Sequence, residues 1–438
     1  MKNRFLISFL FIISTLSLNA EVLLFSKAYE LALENAHSLK ASIFKTKASQ
    51  ERLEQEKSSL YPQINLSAYY KKSQYNYNEN YNASGDTIDQ GLINYSLSLK
   101  QSIYNAQIYA RISLERSKAQ LYKVGVELEK EELAQNVFKV YLDILKTYNK
   151  IDLSSSYLEY SKLKLDEITK RYQMSMANKM DLLEMRVEYK SAQIDLKKEK
   201  KLLNVYQLKL NQLIGINSYI LPTIKIDSTS LESIDSMKLS IADNNDFSSN
   251  LQLLQSQLSL KLSKKDIDNA FSAHYPRLDL DISVSGYETD DPTSDSLYKD
   301  TRSAMLVLNI PIYSGGSISS RVRELELNSQ ATNEELIDTQ KEIQVKYDEY
   351  LALFEASSES VSIYQDALES ALLYVDSVEQ GYEHGLKSVI DLSDAKNKLY
   401  EVKYKYIENI YEMVDSYIGL LIVTNNFENI GLLDKLVK

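Results

Sequence analysis

The sequence predicts a mainly α-helical chain that also carries four β-strands of membrane type, and three observations predict it. Glycine and proline are scarce, Gly 11 and Pro 5 in 438 residues, so long stretches contain nothing that would end a helix. Through those stretches apolar residues step by alternating threes and fours, the spacing that keeps a seam facing a neighbouring helix. In two short regions the period drops to two, the mark of strands with one apolar face.

The elements follow in order. Lys2 and Arg4 precede an apolar run from Phe5 to Leu18, and Ala20 offers a small residue for cleavage, so residues 1–20 read as a secretory signal peptide. The alternative, a membrane anchor, needs roughly 18 apolar residues, and the run falls short of that. A segment from about Phe25 to Leu60 is helical. A strand hairpin spans about 62–103: after Pro62, Ile64, Leu66, Ala68 and Tyr70 alternate with Asn65, Ser67, Tyr69 and Lys71. On its return, Ile93, Tyr95, Leu97 and Leu99 alternate with Asn94, Ser96, Ser98 and Lys100. One helix then runs from about Ile103 to Met174, a rod of roughly 100 Å at 1.5 Å per residue. "MSMANKM" at 174–180 turns the chain into a return helix from Asp181 to Leu213. That helix is about half as long as its partner, so the 25–60 helix should supply the other half, end to end with it. Residues 21–216 make up this first repeat, 217–247 an irregular connector, 248–424 a second repeat with a strand hairpin at about 276–313, and 425–438 a tail.

The second repeat echoes the first in its landmarks. "LYPQINLSAYY" at 60–70 matches "HYPRLDLDISV" at 274–284, and "LSLKQSIYNAQ" at 97–107 matches "LVLNIPIYSGG" at 306–316. Arg171 and Tyr172 correspond to Gly381 and Tyr382, and Asp181 to Asp391, at one constant offset. The seam passes through Leu182, Met185, Tyr189, Ala192 and Leu196 in one half, and Val361, Tyr364, Leu368, Ala371, Val375, Val378 and Tyr382 in the other. The polar stretches "NYNENYNASGD" and "TDDPTSDS" read as hairpin tips.

Composition narrows the function. A formal net charge of -11 without a basic stripe excludes nucleic acid as a partner. Cys 0 removes disulfides and thiolate metal sites, and the three histidines, His37, His274 and His384, lie far apart. With no Gly-x-Ser-x-Gly elbow either, neither catalysis nor a metal or cofactor site is expected. Tyr 33 beside Trp 0 suits residues that girdle a membrane interface, and equally residues that pack between helices. Four strands of about ten residues match tilted outer-membrane strands, yet four cannot close a barrel and their edges are intolerable in lipid. The chain must oligomerise to close. Three copies give twelve strands, the smallest multiple whose interior is too wide to fill with side chains.

The duplicated halves, Tyr61-Pro62 and Tyr275-Pro276 at the strand starts, "PIYSGG" at 311–316 and above all "GLKSVIDLSDA" at 385–395 resemble the TolC-like outer membrane efflux proteins over essentially the whole mature chain. The resemblance implies a homotrimer in the outer membrane of a Gram-negative bacterium. A 12-stranded transmembrane β-barrel, four strands per chain, would continue into an α-barrel tunnel of long coiled-coil helices reaching through the periplasm. It implies the exit duct of a tripartite efflux or type I secretion system, fed by an inner-membrane pump of RND or ABC type through a periplasmic adaptor (membrane fusion) protein. An outer-membrane coiled-coil adhesin is the alternative; it accounts for the heptads but not for two matched hairpins.

By the same resemblance the two echoing stretches form helical turns at the tunnel tip, with Ser175 and Gly385 in the turns. Asp391 and Asp394 match paired aperture aspartates, and their i, i+3 spacing puts both on one helical face. Three chains would set six carboxylates around one axis, so that some titrate above the roughly 3.9 of free aspartate. The competing reading makes Asp391 part of a capping box begun at Ser388. Asp181, Tyr382 and Lys387 match positions that hold the tip shut, with Tyr382 expected to bond Asp181. Lys387 stands for an arginine and lacks its two-pronged contact, Met180 replaces a hydroxyl residue, and Ser175 replaces the glycine kept at Gly385. Otherwise Tyr382 is a seam residue and Asp181 an N-cap with Glu184 three residues on.

Overall fold

Where the heptad pattern runs without helix breakers, the chain is helical: α1 Phe25–Asn35, α2 His37–Ser58, α3 Ala106–Gln173, α4 Lys179–Ile214, α5 Leu251–Phe271, α6 Ser317–Glu383 and α7 Val389–Val423. Where the period is two, it forms strands β1 Gln63–Asn76, β2 Thr87–Asn105, β3 Arg277–Thr289 and β4 Asp300–Asn309. The structure is a computed structural model that describes residues 22–76, 87–217, 219–222, 247–289, 300–426 and 434. The expected signal peptide, most of both hairpin tips, most of the connector and most of the tail lie outside the described residues. No described helix is long and apolar enough to cross a membrane.

Three boundaries differ from expectation. The 25–60 segment is two helices, broken at Ala36, whose backbone is extended. The break sets Asn35 so that its amide donates to the carbonyls of Gln212 and Leu213, at 3.4 Å each, two of the acceptors left open at the end of α4. Residues 103–105, expected to start the long helix, instead belong to β2, because a bulge between Ser102 and Tyr104 lets Tyr104 and Asn105 keep pairing with Leu278 and Arg277. The strands are also longer than about ten residues, at 14, 19 and 13 for β1, β2 and β3, with β4 at 10.

The chain divides into two compact units, residues 1–36, 131–246 and 346–438, and residues 37–130 and 247–345. The second unit holds the sheet, ordered β1-β2-β3-β4 and antiparallel throughout. Its register stacks Ile64, Leu99 and Ile282 in one row and Leu66, Leu97 and Val284 in the next, with Leu280 opposite Leu306 and Leu278 opposite Leu308. One face is therefore largely apolar, broken on β4 by Arg302 opposite Val284, and it is bare: Leu66 is 76% exposed and Leu306 66%. The helices of this unit meet through small residues, with Thr46 donating to the Tyr122 carbonyl at 3.0 Å and Ser263 bonded to Ser329 at 3.0 Å.

In the first unit the core gathers around Phe25, which lies 4.3 Å from the ring of Tyr141 and 5.9 Å from that of Phe138. The buried Tyr141 hydroxyl donates to the Leu23 carbonyl. The end of α7 is buried on every side from Tyr417 to Val423, and Gly419 explains how it approaches α6: a Cβ there would stand 2.5 Å from the Tyr350 ring. Gly125 in α3, by contrast, has open space around its missing Cβ. Gly419→Ala should therefore lower stability by roughly 1–3 kcal/mol through overpacking. Gly125→Ala should raise it by about 0.5–1 kcal/mol through helix propensity. Thermal unfolding of the two variants beside the parent checks the opposite signs.

Candidate functional site

The two helical turns are built alike. In the first, the Met176 N–H reaches the Arg171 carbonyl at 2.7 Å and the Ser175 N–H that of Tyr172 at 3.0 Å; in the second, Leu386 reaches Gly381 at 2.8 Å and Gly385 reaches Tyr382 at 3.0 Å. Both are Schellman motifs, which need a left-handed residue after the helix. Ser175 takes φ 61 and Gly385 φ 73, so the serine bears a strain the glycine avoids. Three residues past each turn a capping box starts the next helix. The Asn178 side chain accepts from the Asp181 N–H at 2.9 Å and the Ser388 hydroxyl from that of Asp391 at 3.1 Å, with each aspartate answering its cap's own N–H. The N-cap is thus Asn178, and Asp181 is the third residue of the box rather than the cap itself.

Asp391 carries this duty with one oxygen, Oδ2, which takes the Ser388 N–H and hydroxyl at 2.8 Å each. The N–H and then the hydroxyl hold its carboxyl below the usual carboxylate range, opposite in sign to the elevation anticipated from a ring of carboxylates. Within one chain there is no neighbouring ring to raise it. Asp394 is exposed one turn further on. Lys387 folds its aliphatic stem over Gly381, where a Cβ would meet Lys387 Cγ at 2.8 Å, and its ammonium forms no ion pair among the described residues.

Tyr382 does not bond Asp181. Its hydroxyl donates to Glu167 Oε1 on α3 at 2.8 Å, while Asp181 turns Oδ2 to the Asn178 N–H. Glu167 also pairs with Lys164 at 3.0 Å and Arg171 at 2.9 Å, while the Tyr382 ring lies 4.6 Å from the Lys164 ammonium and 5.0 Å from the Arg171 guanidinium. One carboxylate and two cations therefore hold one phenol. Burial and then the Glu167 hydrogen bond push that phenol up to about 12. Burial also raises the Glu167 carboxyl, but the Tyr382 and Lys164 hydrogen bonds and the two cations outweigh it and leave it lowered. Around this clamp, Ile168, Leu182, Met185, Val375, Val378, Val389, Leu392 and Ala395 form an apolar cluster.

Away from the turns the contacts between helices become polar. Glu188 of α4 accepts from Tyr157 of α3 at 2.7 Å and from Ser393 of α7. Beyond it Ser154 meets Tyr400 at 3.2 Å, and Lys150 reaches Tyr404 at 2.5 Å and Glu408 at 3.2 Å. Neither Glu167 nor Glu188 was singled out in the sequence. The available signal was the run Thr147, Lys150, Ser154, Tyr157, Ser161, which keeps the three-four spacing with polar residues.

The family profile described as Outer membrane efflux protein matches residues 28–216 and 247–426. Outer membrane protein TolC of Escherichia coli (strain K12) is 24% identical over 402 residues, covering 87% of this chain and 80% of that protein. Among solved structures, CusC superimposes with a TM-score of 0.78 at 17% identity, covering 94% of this chain and 95% of the other. The CmeC outer membrane channel of Campylobacter jejuni gives 0.76 at 16% identity, covering 94% and 90%.

Two outcomes follow for these turns. Ser175→Gly should stabilise the protein by about 1 kcal/mol and Gly385→Ser destabilise it by a similar amount, read by thermal unfolding. A double-mutant cycle of Tyr382→Phe and Glu167→Gln should give a coupling of about 0.5–1 kcal/mol at pH 7, since the pair is partly exposed. Because the folded-state pKa of Glu167 is depressed, that coupling is present above the unfolded value near 4.3 and lost as pH falls through the lower folded value. Repeating the cycle at acid pH checks the sign.

Proposed function

This chain belongs to the outer membrane efflux protein family and is an outer-membrane exit duct for efflux or type I secretion; from that premise we propose a homotrimer whose tip is clamped shut at Tyr382 and ringed by Asp391 and Asp394. The observation that carries the trimer is the four-stranded sheet with a bare, largely apolar face and with β1 and β4 unpaired on their outer sides among the described residues. Lipid offers those backbone groups no hydrogen bonds, and three copies joined edge to edge satisfy them. A second support is an apolar stripe on α4: Leu183, Val187, Ile194, Val205 and Leu208 are all exposed and fall on one helical face, as a surface awaiting a neighbouring helix would.

In this reading each chain contributes one clamp and two aperture carboxylates. Asp391 spends Oδ2 on its capping box, leaving Oδ1 for the pore, so capping and ring roles coexist. A periplasmic adaptor and an inner-membrane pump of RND or ABC type complete the path, opening the tip by drawing Tyr382 away from Glu167. Carboxylates converging on one axis would favour cations, above all multivalent ones that bridge several oxygens.

Native mass measurement should give trimers; a folded four-stranded monomer in detergent would sink the proposal. In planar bilayers, Tyr382→Phe combined with Glu167→Gln should raise single-channel conductance while Asp181→Asn leaves it unchanged. Asp391→Ala with Asp394→Ala should abolish tight block by trivalent cations and leave the trimer intact. Parental conductance in the first variant reduces the clamp to packing, and parental block in the last places the constriction elsewhere.

A further inference from the structure

Along the apolar face of the sheet, each strand runs toward its hairpin tip until it meets charge. Tyr70 is followed on that face by Lys72 in β1, Ile93 is preceded by Asp89 in β2, Gly286 is followed by Glu288 in β3, and Ala304 is preceded by Arg302 and Asp300 in β4. Lys72 and Asp89 pair with each other at 3.2 Å. Asp300 accepts the Tyr95 phenol at 2.7 Å, the ring crossing Gly286, where any Cβ would collide with it. Arg302 is exposed and has no ion-pair or hydrogen-bond partner among the described residues. On the other side of it Ala304, Leu306 and Leu308 continue the face until β4 ends at Asn309. From Arg302 to Leu308 that is roughly 15 Å for a strand tilted about 40°, and Arg302 ends the apolar stretch of β4 on its hairpin-tip side.

A lone guanidinium is strongly disfavoured within hydrocarbon and tolerated at headgroup depth, where phosphate is the abundant counter-charge. Its planar fork matches two phosphate oxygens at once, which an ammonium cannot do. We propose that Arg302 binds the phosphate of an anionic outer-leaflet lipid, one site per chain on the outside of the barrel. The inference rests on the barrel reading above.

The test uses the full-length protein reconstituted in vesicles of phosphatidylcholine with or without phosphatidylglycerol, with retained lipid counted by native mass spectrometry. The parent should retain phosphatidylglycerol selectively, and less of it as ionic strength rises. Arg302→Met should retain about fivefold less, the equivalent of the ~1 kcal/mol that one basic residue contributes beside an anionic surface, and Arg302→Lys should fall between. Parental retention in Arg302→Met overturns the proposal. So does stabilisation of the parent in pure phosphatidylcholine by inorganic phosphate to the same degree, which would make the ligand a free anion. If Arg302→Met instead dissociates the trimer, the guanidinium pairs with a neighbouring copy and the lipid site is wrong while the barrel stands. A parent that is monomeric from the outset fails the barrel reading itself.

Discussion

The backbone N–H and C=O groups along the outer edges of β1 and β4 set the terms for the rest of the molecule. Side chains can be exchanged to suit lipid, but a strand edge cannot be made apolar, and each unpaired group in hydrocarbon costs several kcal/mol. With four strands among the described residues, the chain would, in the proposed trimer, find its last hydrogen bonds in other copies of itself. The duplication serves the same end: each half brings one hairpin, and the pairing of β2 with β3 joins the halves into a single sheet.

The helices face a different problem, since a long seam of leucines and valines can slide by a heptad with little penalty. Directional bonds remove that freedom. Near the turns the seam is largely apolar, with polar ties at the Tyr382 clamp and at the pair of Lys396 on α7 and Glu379 on α6, 3.0 Å apart, whereas from Tyr157 to Asn149 on α3 it is crossed by hydrogen bonds to Asn397, Tyr400, Tyr404 and Tyr411 of α7. The stretch away from the turns is thus pinned by directional bonds, and the stretch next to them is held more by packing.

The turns also show how a repeat diverges. Backbone geometry is the same in both, down to the Schellman bonds and the capping box. The side chains are not: Tyr172 is 40% exposed where Tyr382 is buried, and Ser175 holds by strain what Gly385 holds freely. Among the described residues, the second copy alone has a carboxylate and two cations gathered on its tyrosine.

How much of this the sequence determined follows from what each feature depends on. Helix and strand identity, the hairpins and the apolar sheet face depend on residues a few positions apart, so period and turn chemistry revealed them, and the Ser388–Asp391 box was legible for the same reason. Tertiary structure decided the rest. The break at Ala36 answers to carbonyls at Gln212 and Leu213, and β2 runs on to Asn105 because β3 is there to pair with it. Tyr382 bonds Glu167 because the two stand side by side once α3 and α6 are packed, although 215 positions separate them in the chain. Glu188 and the polar ladder escaped a search for apolar heptads since their spacing is helical but their chemistry is not apolar. A side chain's partner is chosen by which helices are neighbours and at what axial register, and neither quantity is encoded in any local stretch of sequence.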